Sequence, residues 1–529
     1  MPGFLDEWQA GAVQSLFQGS PEDVWAVGLY IALMAMLGLF GSHRLFLVWL
    51  YLRRKPAPTA PPAPRDLPRV TVQLPVYNER FVVLGLIEAV CRLDYPRDRL
   101  QIQVLDDSTD ETTAIARTAV ERMAARGVPI EFHHRDNREG FKAGALAAGM
   151  RTATGDLLAL FDADFTPHSD FLRRTVGHFS DERIGMVQAR WTYRNREHSL
   201  LTRVQAMLLD GHFVIEHGAR FGNGLFFNFN GTAGVLRRRM IDDAGGWQHD
   251  TLTEDTDLSY RAQLKGWEFI YRADIEAPSE LPLDLSAFHA QQARWAKGLT
   301  QTGIKLLPRI LRAPIPLRRK FEAFFHLAAN CTYPAMAVMT LVMPAALTVR
   351  FQMFDPWFLL LDIPLFLGTF GSLALFYLLA HRELFGRGWV AQIRLIPLLM
   401  AAGIGLTLNN TRAVIEALAG IRTPFQRTAK YTADRRQARL ARRFYGLRAG
   451  WITWANLAVA LGFFAFAAQS ISVGNWFALP FVALFGSSFA LAGGMAVYQS
   501  FGGREIRVMV VELPKTRARA QALSRVESL

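Results

Sequence analysis

Four short clusters carry side chains that could do chemistry together: Asp106-Asp107, Asp162-Ala163-Asp164, Thr253-Glu254-Asp255 and Gln291-Gln292-Ala293-Arg294-Trp295. Two carboxylates at i and i+2 after an apolar run can both reach a hard cation where a strand gives way to a turn. Mg2+ and Mn2+ suit such a pair, because they bind through one or two carboxylates plus substrate phosphates. A cation held by Asp162 and Asp164 would offset the charge of a departing diphosphate. Transfer to a hydroxyl also needs a carboxylate base within hydrogen-bond reach. Asp255 or Glu254 could serve, and Asp255 is favoured. Gln291, Arg294 and Trp295 share one face of a helix. There Arg294 can grip a diphosphate, with Gln291 on the same donor side, and Trp295 can stack on a pyranose ring. The combination suggests transfer of a sugar from a nucleotide diphosphate.

Weaker signals surround these clusters. Tyr77 and Glu79 follow Pro75-Val76 and could line a nucleotide pocket, while Asp106 and Asp107 could hydrogen-bond base or ribose. Lys142 opens a helical stretch, where a cation beside a helix N-terminus suits phosphate. Residues 226–232 mix rings and amides, as a sugar-accepting pocket would, which nominates Phe227, Asn228 and Asn230.

The elements that must position these groups alternate. Residues 70–74, 100–105, 130–133 and 156–161 read as strands, and 81–91, 109–126, 140–152 and 257–266 as helices. Such βαβ alternation implies a parallel sheet covered on both faces, with ligands bound beyond the carboxyl ends of the strands. Asp106 and Asp162 both end strands on this reading, so one crevice can hold both clusters.

Hydrophobic residues make up 51% of the 529, and mean hydropathy is +0.12, which fits a chain only partly in a membrane. Residues 25–52, 324–348, 357–380, 449–469 and 475–500 are apolar enough to span. Residues 391–420 carry polar breaks and are expected to lie along the inner leaflet, because the basic stretch after Arg412 belongs on the cytoplasmic side. The net charge of +13 therefore reads as cytoplasmic loops rather than as a nucleic-acid surface. The acidic start lacks the basic leader of a signal peptide. Cys91 and Cys331 alone allow no disulfide framework. The expected division is a membrane helix over 1–55, a Pro-rich linker over 56–68, a catalytic domain over 69–320, membrane and interfacial helices over 321–500, and a basic tail over 501–529.

With these residues assembled, the chain resembles the inverting family 2 glycosyltransferases, most closely the glucomannan and mannan synthases of the cellulose-synthase-like branch. Phe229-Asn230-Gly231-Thr232-Ala233-Gly234 and Gly245-Gly246-Trp247 strengthen the likeness. The resemblance implies an α/β GT-A fold joined to transmembrane helices, Mg2+ or Mn2+ at the Asp-x-Asp, and inversion with the Thr-Glu-Asp aspartate as base. It implies a nucleotide sugar such as GDP-mannose or UDP-glucose as donor and a polysaccharide or lipid as acceptor. It also implies a gating loop, for which Phe425, Thr428 and Lys430 keep the family pattern while Arg427 replaces a valine. Three readings follow: a processive hexan synthase with export, a glycolipid synthase with the same catalytic set, and a non-catalytic polysaccharide-binding scaffold. The expected location is the bacterial inner membrane, with the catalytic region and C-terminus cytoplasmic and the N-terminus outside. Oligomeric state is not legible.

Overall fold

The structure, a computed structural model, describes residues 21–55, 61, 64, 66–352, 363–421, 423 and 450–500. The candidate gating residues Phe425, Thr428 and Lys430 lie outside the described residues.

Seven strands form one sheet in the order β3-β2-β1-β4-β6-β5-β7. They are β1 Val70–Val76, β2 Leu100–Asp106, β3 Ile130–His134, β4 Leu157–Leu160, β5 Ile184–Tyr193, β6 Gly234–Arg237 and β7 Glu268–Ser279. The expectation of a purely parallel sheet is corrected here. β6 runs antiparallel to both β4 and β5, whereas the β1–β2, β2–β3, β1–β4 and β5–β7 pairs are parallel. The reversal matters for the site. Gly234, which opens β6, pairs with Leu160, which closes β4. The chain segment before β6 therefore arrives at the edge where β1, β2, β4 and β5 end.

Every residue of β1 and β2 is buried, including the polar ones. The alternation in Leu100-Gln101-Ile102-Gln103-Val104 is thus not a solvated face. Its glutamines pair across strands: Thr71 Oγ1 donates to Gln101 Oε1 at 2.8 Å and Gln73 Nε2 to Gln103 Oε1 at 3.0 Å. Buried polar groups are tolerable when satisfied in this way. Val70, Val72, Leu74, Ile102 and Val104 pack on one side of the sheet against Val83, Leu86, Ile87 and Val90. Leu158, Leu160, Met186 and Leu236 pack on the other with Ala143 and Leu146. The helix Phe141–Met150 comes close to the sheet because Gly149 has no side chain; a Cβ there would lie 2.6 Å from Gln73 Nε2. That approach fixes Lys142 near the end of β4.

Among the described residues, five helical segments are long and apolar enough to cross a membrane: Trp25–Leu52, Leu317–Gln352, Ile363–Gly405, Trp451–Ser472 and Leu479–Ser500. The stretch expected to begin an interfacial segment at residue 391 lies in a 3-10 helix, Gly386–Leu395, which follows the end of the helix Ser372–Phe385 and leads into the helix Ile396–Gly405. The following helix, Thr407–Leu418, packs on the 28-residue helix Leu285–Arg312.

Candidate active site

One cavity opens at the carboxyl edge of the sheet. It is lined by Tyr77 and Glu79 after β1, Asp107 after β2, Lys142, Asp162 and Asp164 after β4, and Trp191 on β5. Asn230 and Gly231 before β6, Glu254 and Asp255, and Gln291, Arg294 and Trp295 complete it. Clusters far apart in sequence thus converge: most follow a strand end or start a helix at the same edge, and Gln291, Arg294 and Trp295 reach it from within the helix Leu285–Arg312.

Lys142 is the hub. Its Nζ donates to Asp162 Oδ1 at 2.5 Å and to the Gly231 carbonyl at 2.9 Å, and the Asp162 amide donates to Thr232 Oγ1 at 2.8 Å. Burial alone would lower the Lys142 pKa, but the carboxylates of Asp162, Glu254 and Asp255 outweigh it and hold the ammonium charged. Arg294 is pulled down by burial, opposed by Glu254, Asp255 and Asp162, and as a guanidinium it keeps its charge. Three cations, Arg138, Lys142 and Arg294, thus share one cavity with six acids, Glu79, Asp107, Asp162, Asp164, Glu254 and Asp255.

Glu254 and Asp255 occupy the first turn of the helix Glu254–Leu264. Asp255 Oδ1 accepts from the Thr256 amide at 2.6 Å. Burial, then the neighbouring Glu254 charge, raises Asp255 to about 7 against the opposing pull of Lys142. A base poised near neutrality is the optimum for proton abstraction at physiological pH. Gly231 faces it in a left-handed conformation with φ +80°, and a Cβ there would lie 2.7 Å from Asp255 Oδ2. The glycine is what lets the Lys142-binding carbonyl and the carboxylate sit side by side.

Among the described residues no group of three or more His, Cys, Asp or Glu side chains could cage a metal. The donor set is instead Asp162 and the buried Asp164 on one wall of an open cavity. Such a pair fits Mg2+ or Mn2+ that takes its remaining ligands from substrate phosphates and water.

Three expected contacts are not made. Asp106 is fully buried, and its carboxylate accepts from the Ser108 amide, Thr113 Oγ1 and His134. Successive residues at a strand end point to opposite faces, so Asp107 meets the cavity, gripped by Arg135 Nε at 2.7 Å, and Asp106 braces the turn. Phe227 lies in the core against Phe221 and Phe269. Asn228 is turned inward, donating to the Phe229 carbonyl and to Asn230 Oδ1. Asn228 thereby holds Asn230, which alone of the three reaches the cavity. Conversely, Arg138, Phe165 and Trp191 line the cavity without having been singled out by sequence. Arg138 stacks on Tyr77 with its guanidinium 3.4 Å from the ring centroid. Its position two residues before Gly140 was the one available hint.

The family model described as glycosyltransferase like family 2 matches residues 68–298, the span that holds every cavity residue named above. That match covers somewhat under half of the chain and marks this region as similar to glycosyltransferase family 2. Glucomannan 4-beta-mannosyltransferase 1 of Oryza sativa subsp. japonica is 47% identical to it over 252 residues, 46% of this chain and 48% of the relative. Glucomannan 4-beta-mannosyltransferase 7 of Arabidopsis thaliana is 37% identical over 365 residues, 66% of this chain and 64% of the relative. The chain spans about half the length of the curated relatives it matches. A solved mannosyltransferase from Pyrobaculum calidifontis, in complex with GDP-Man and Mn2+, is 22% identical with a TM-score of 0.50, covering 75% of this chain and 100% of that one. At that identity the likeness establishes the GT-A fold of the glycosyltransferase domain. The named relatives are plant proteins and lend no support to the expected bacterial inner membrane. Membrane association rests on the five apolar helices.

Proposed function

We propose that this chain is a membrane-bound, inverting mannosyltransferase that moves mannose from GDP-mannose to the end of a growing β-1,4-linked mannan or glucomannan chain. The observation that carries the reading is the meeting of Lys142, Asp162, Asp164, Asp255 and Arg294 in one cavity. The names of the relatives, glucomannan 4-beta-mannosyltransferases, and of the GDP-Man-bound structural neighbour supply the sugar, the linkage and the nucleotide.

In this reading Tyr77, Glu79 and Asp107 hold the nucleoside, and Lys142 and Arg294 face the diphosphate. Asp162 and Asp164 would hold Mg2+ or Mn2+, which supplies charge neutralisation to the leaving diphosphate when bound. Asp255 takes the proton of the acceptor hydroxyl. That oxygen bonds to the anomeric carbon while the bond to the diphosphate oxygen breaks on the opposite face, so an α-donor gives a β-linkage. Trp295 and Asn230 meet the terminal acceptor sugar.

A second cavity of about 390 Å³ shares Leu252 and Arg294 with the first and reaches His289, Asn409, Thr453, Asn456 and Gln499 among the membrane helices. A polar route beside Arg294 favours a polymer that leaves through the membrane region. We assign the catalytic domain to 69–320 on the cytosolic side, between the membrane segments of 1–55 and 321–500, with the N-terminus outside; the expected linker over 56–68 and tail over 501–529 lie largely outside the described residues.

The test supplies purified chain with Mn2+ and either GDP-mannose or UDP-glucose, then sizes the product and determines its linkage. β-1,4-linked polymer from GDP-mannose is expected. Short lipid-linked products would replace the polymer reading with a glycolipid synthase, and turnover of UDP-glucose alone would overturn the donor.

A further inference from the structure

The helix Leu317–Ala328 has an exposed face that takes no part in the chemistry above. It opens the 36-residue segment Leu317–Gln352. At about 1.5 Å per residue that segment is roughly 54 Å long, against about 30 Å of hydrocarbon to cross. The 21-residue helix Thr332–Gln352 suffices for the crossing, and a 3-10 turn, Ala329–Cys331, separates it from Leu317–Ala328. The shorter helix is two-sided. Leu317, Phe321 and Phe324, at i, i+4 and i+7, share one face and are 79%, 46% and 39% exposed. The opposite face is buried. Phe325 stacks on His43 with ring centroids 4.4 Å apart, and Glu322 Oε1 accepts from Arg220 Nε at 2.9 Å. Glu322 is the one acid of this helix, so the exposed face carries no negative charge.

The neighbours of that face set its depth. Phe321 meets Phe46 edge-on at 5.7 Å, and Phe324 lies 6.5 Å from Phe40. Both partners belong to the closing turns of the membrane helix Trp25–Leu52. Trp49, also exposed, stacks on Phe46 at 5.8 Å and lies under the Arg53 guanidinium at 4.6 Å. Such an indole suits the boundary between hydrocarbon and headgroups. The rim is basic. The Lys55 amide donates to the Gly222 carbonyl and Arg319 Nε to the Gly224 carbonyl, so the end of the first membrane helix and the start of Leu317–Ala328 meet on one turn. Lys320 Nζ donates to the Leu311 carbonyl at 2.7 Å, which brings the end of the helix Leu285–Arg312 to the same place. Arg53, Lys55, Arg309, Arg312 and Arg318 are exposed, and among the described residues none of them has a carboxylate partner.

We propose that this face binds the anionic phospholipids of the leaflet on the catalytic-domain side: Leu317, Phe321 and Phe324 enter the acyl boundary, and the basic rim holds headgroup phosphates. An amphipathic helix lies in the interface in this way, its apolar side chains in the acyl boundary and its cations on anionic lipid. A polynucleotide would meet the cations but leave the apolar side chains in water.

The test reconstitutes the full chain in phosphatidylcholine vesicles with a trace of spin-labelled phosphatidylglycerol or spin-labelled phosphatidylcholine. Electron paramagnetic resonance reads the protein-bound fraction of each. Phosphatidylglycerol is expected to be preferred about fivefold, the effect of one cation at a membrane surface, and the preference to shrink as salt is added. Changing Arg53→Gln, Lys55→Gln and Arg318→Gln together should remove it. Arg122→Gln with Arg126→Gln, exposed on and just after the helix Thr112–Ala124 that packs on β3, should leave it intact. Equal binding of the two lipids by the wild type, or a preference untouched by the triple variant, overturns the proposal. If the triple variant does not reconstitute, Arg53→Gln and Arg318→Gln are made singly: each is expected to lower the preference, and no change in either overturns it. A nitroxide on Phe321→Cys, in a chain carrying Cys91→Ser and Cys331→Ser, checks the depth. Its relaxation should respond more to oxygen than to a water-soluble nickel complex; the reverse order places the face in water and overturns the proposal. None of these readings needs sugar transfer, so they stand or fall apart from the enzymatic reading.

Discussion

Gly231→Ala separates the placement of the base from the stability of the fold. The added Cβ would sit 2.7 Å from Asp255 Oδ2 and 3.4 Å from Lys142 Nζ. A carbon and an oxygen need well over 3 Å, so the Asp255 carboxylate must move by several tenths of an ångström, or the loop must retreat and take with it the carbonyl that holds Lys142. The backbone adds a smaller term, because alanine at φ +80° costs about 1–2 kcal/mol. That loss alone leaves the fold intact in a domain of ordinary stability. Catalysis is more sensitive, since a misplacement on the order of 1 Å costs about a hundredfold in rate. Mannose transfer from radiolabelled GDP-mannose should therefore fall by one to two orders of magnitude, while thermal unfolding followed by tryptophan fluorescence moves only a few degrees. A Gly231→Ala enzyme with wild-type turnover would refute the claim that this glycine sets the spacing of base and lysine.

Asp255, raised to about 7 by burial and by Glu254, must be ionised to act, so log kcat/KM should climb with slope one below an apparent pKa near 7 and level off above it; a flat profile from pH 5 to 8 would exclude it as the base. Chelation with EDTA should abolish transfer, with Mn2+ or Mg2+ restoring it, as measured by donor turnover; full activity in EDTA would remove the role given to Asp162 and Asp164. Glu322→Ala strips the nearer of two carboxylates from the buried Arg220, leaving Glu216 at 3.4 Å, and should cost about 1.5–3 kcal/mol, read as a lowered unfolding midpoint in detergent, whereas an unchanged midpoint would show that the pair does not hold the membrane helices to the catalytic domain.

Much of the site was legible because strand-end acids and one-face helix residues are local signals. Asp162, Asp164, Asp255, Arg294 and Trp295 each follow from a short run and a periodicity. What escaped depends on long-range placement. Asp106 and Asp107 look alike in sequence, and only Thr113 on the following helix, His134 on the paired strand and Arg135 after it decide which one turns outward. β6 has four residues, too few for a period-2 signal, so the reversal that delivers Asn230 and Gly231 to the edge of β4 could not be read. Trp191 projects into the cavity only because β5 runs on to Tyr193, past Gly234, the first residue of its antiparallel partner β6.

The most direct measurement compares transfer and donor binding in Asp255→Asn. Asparagine keeps the size and the Thr256 contact but cannot take a proton, so mannose transfer should fall by about a hundred- to ten-thousandfold, while GDP-mannose binding by calorimetry stays at the wild-type affinity. Because the folded-state pKa lies above the unfolded one, the ionisable carboxyl stabilises the fold below about pH 4 and that contribution is lost as pH rises through 7. The variant should accordingly unfold at a higher temperature than the wild type at pH 8. Transfer at the wild-type rate by Asp255→Asn would contradict the account.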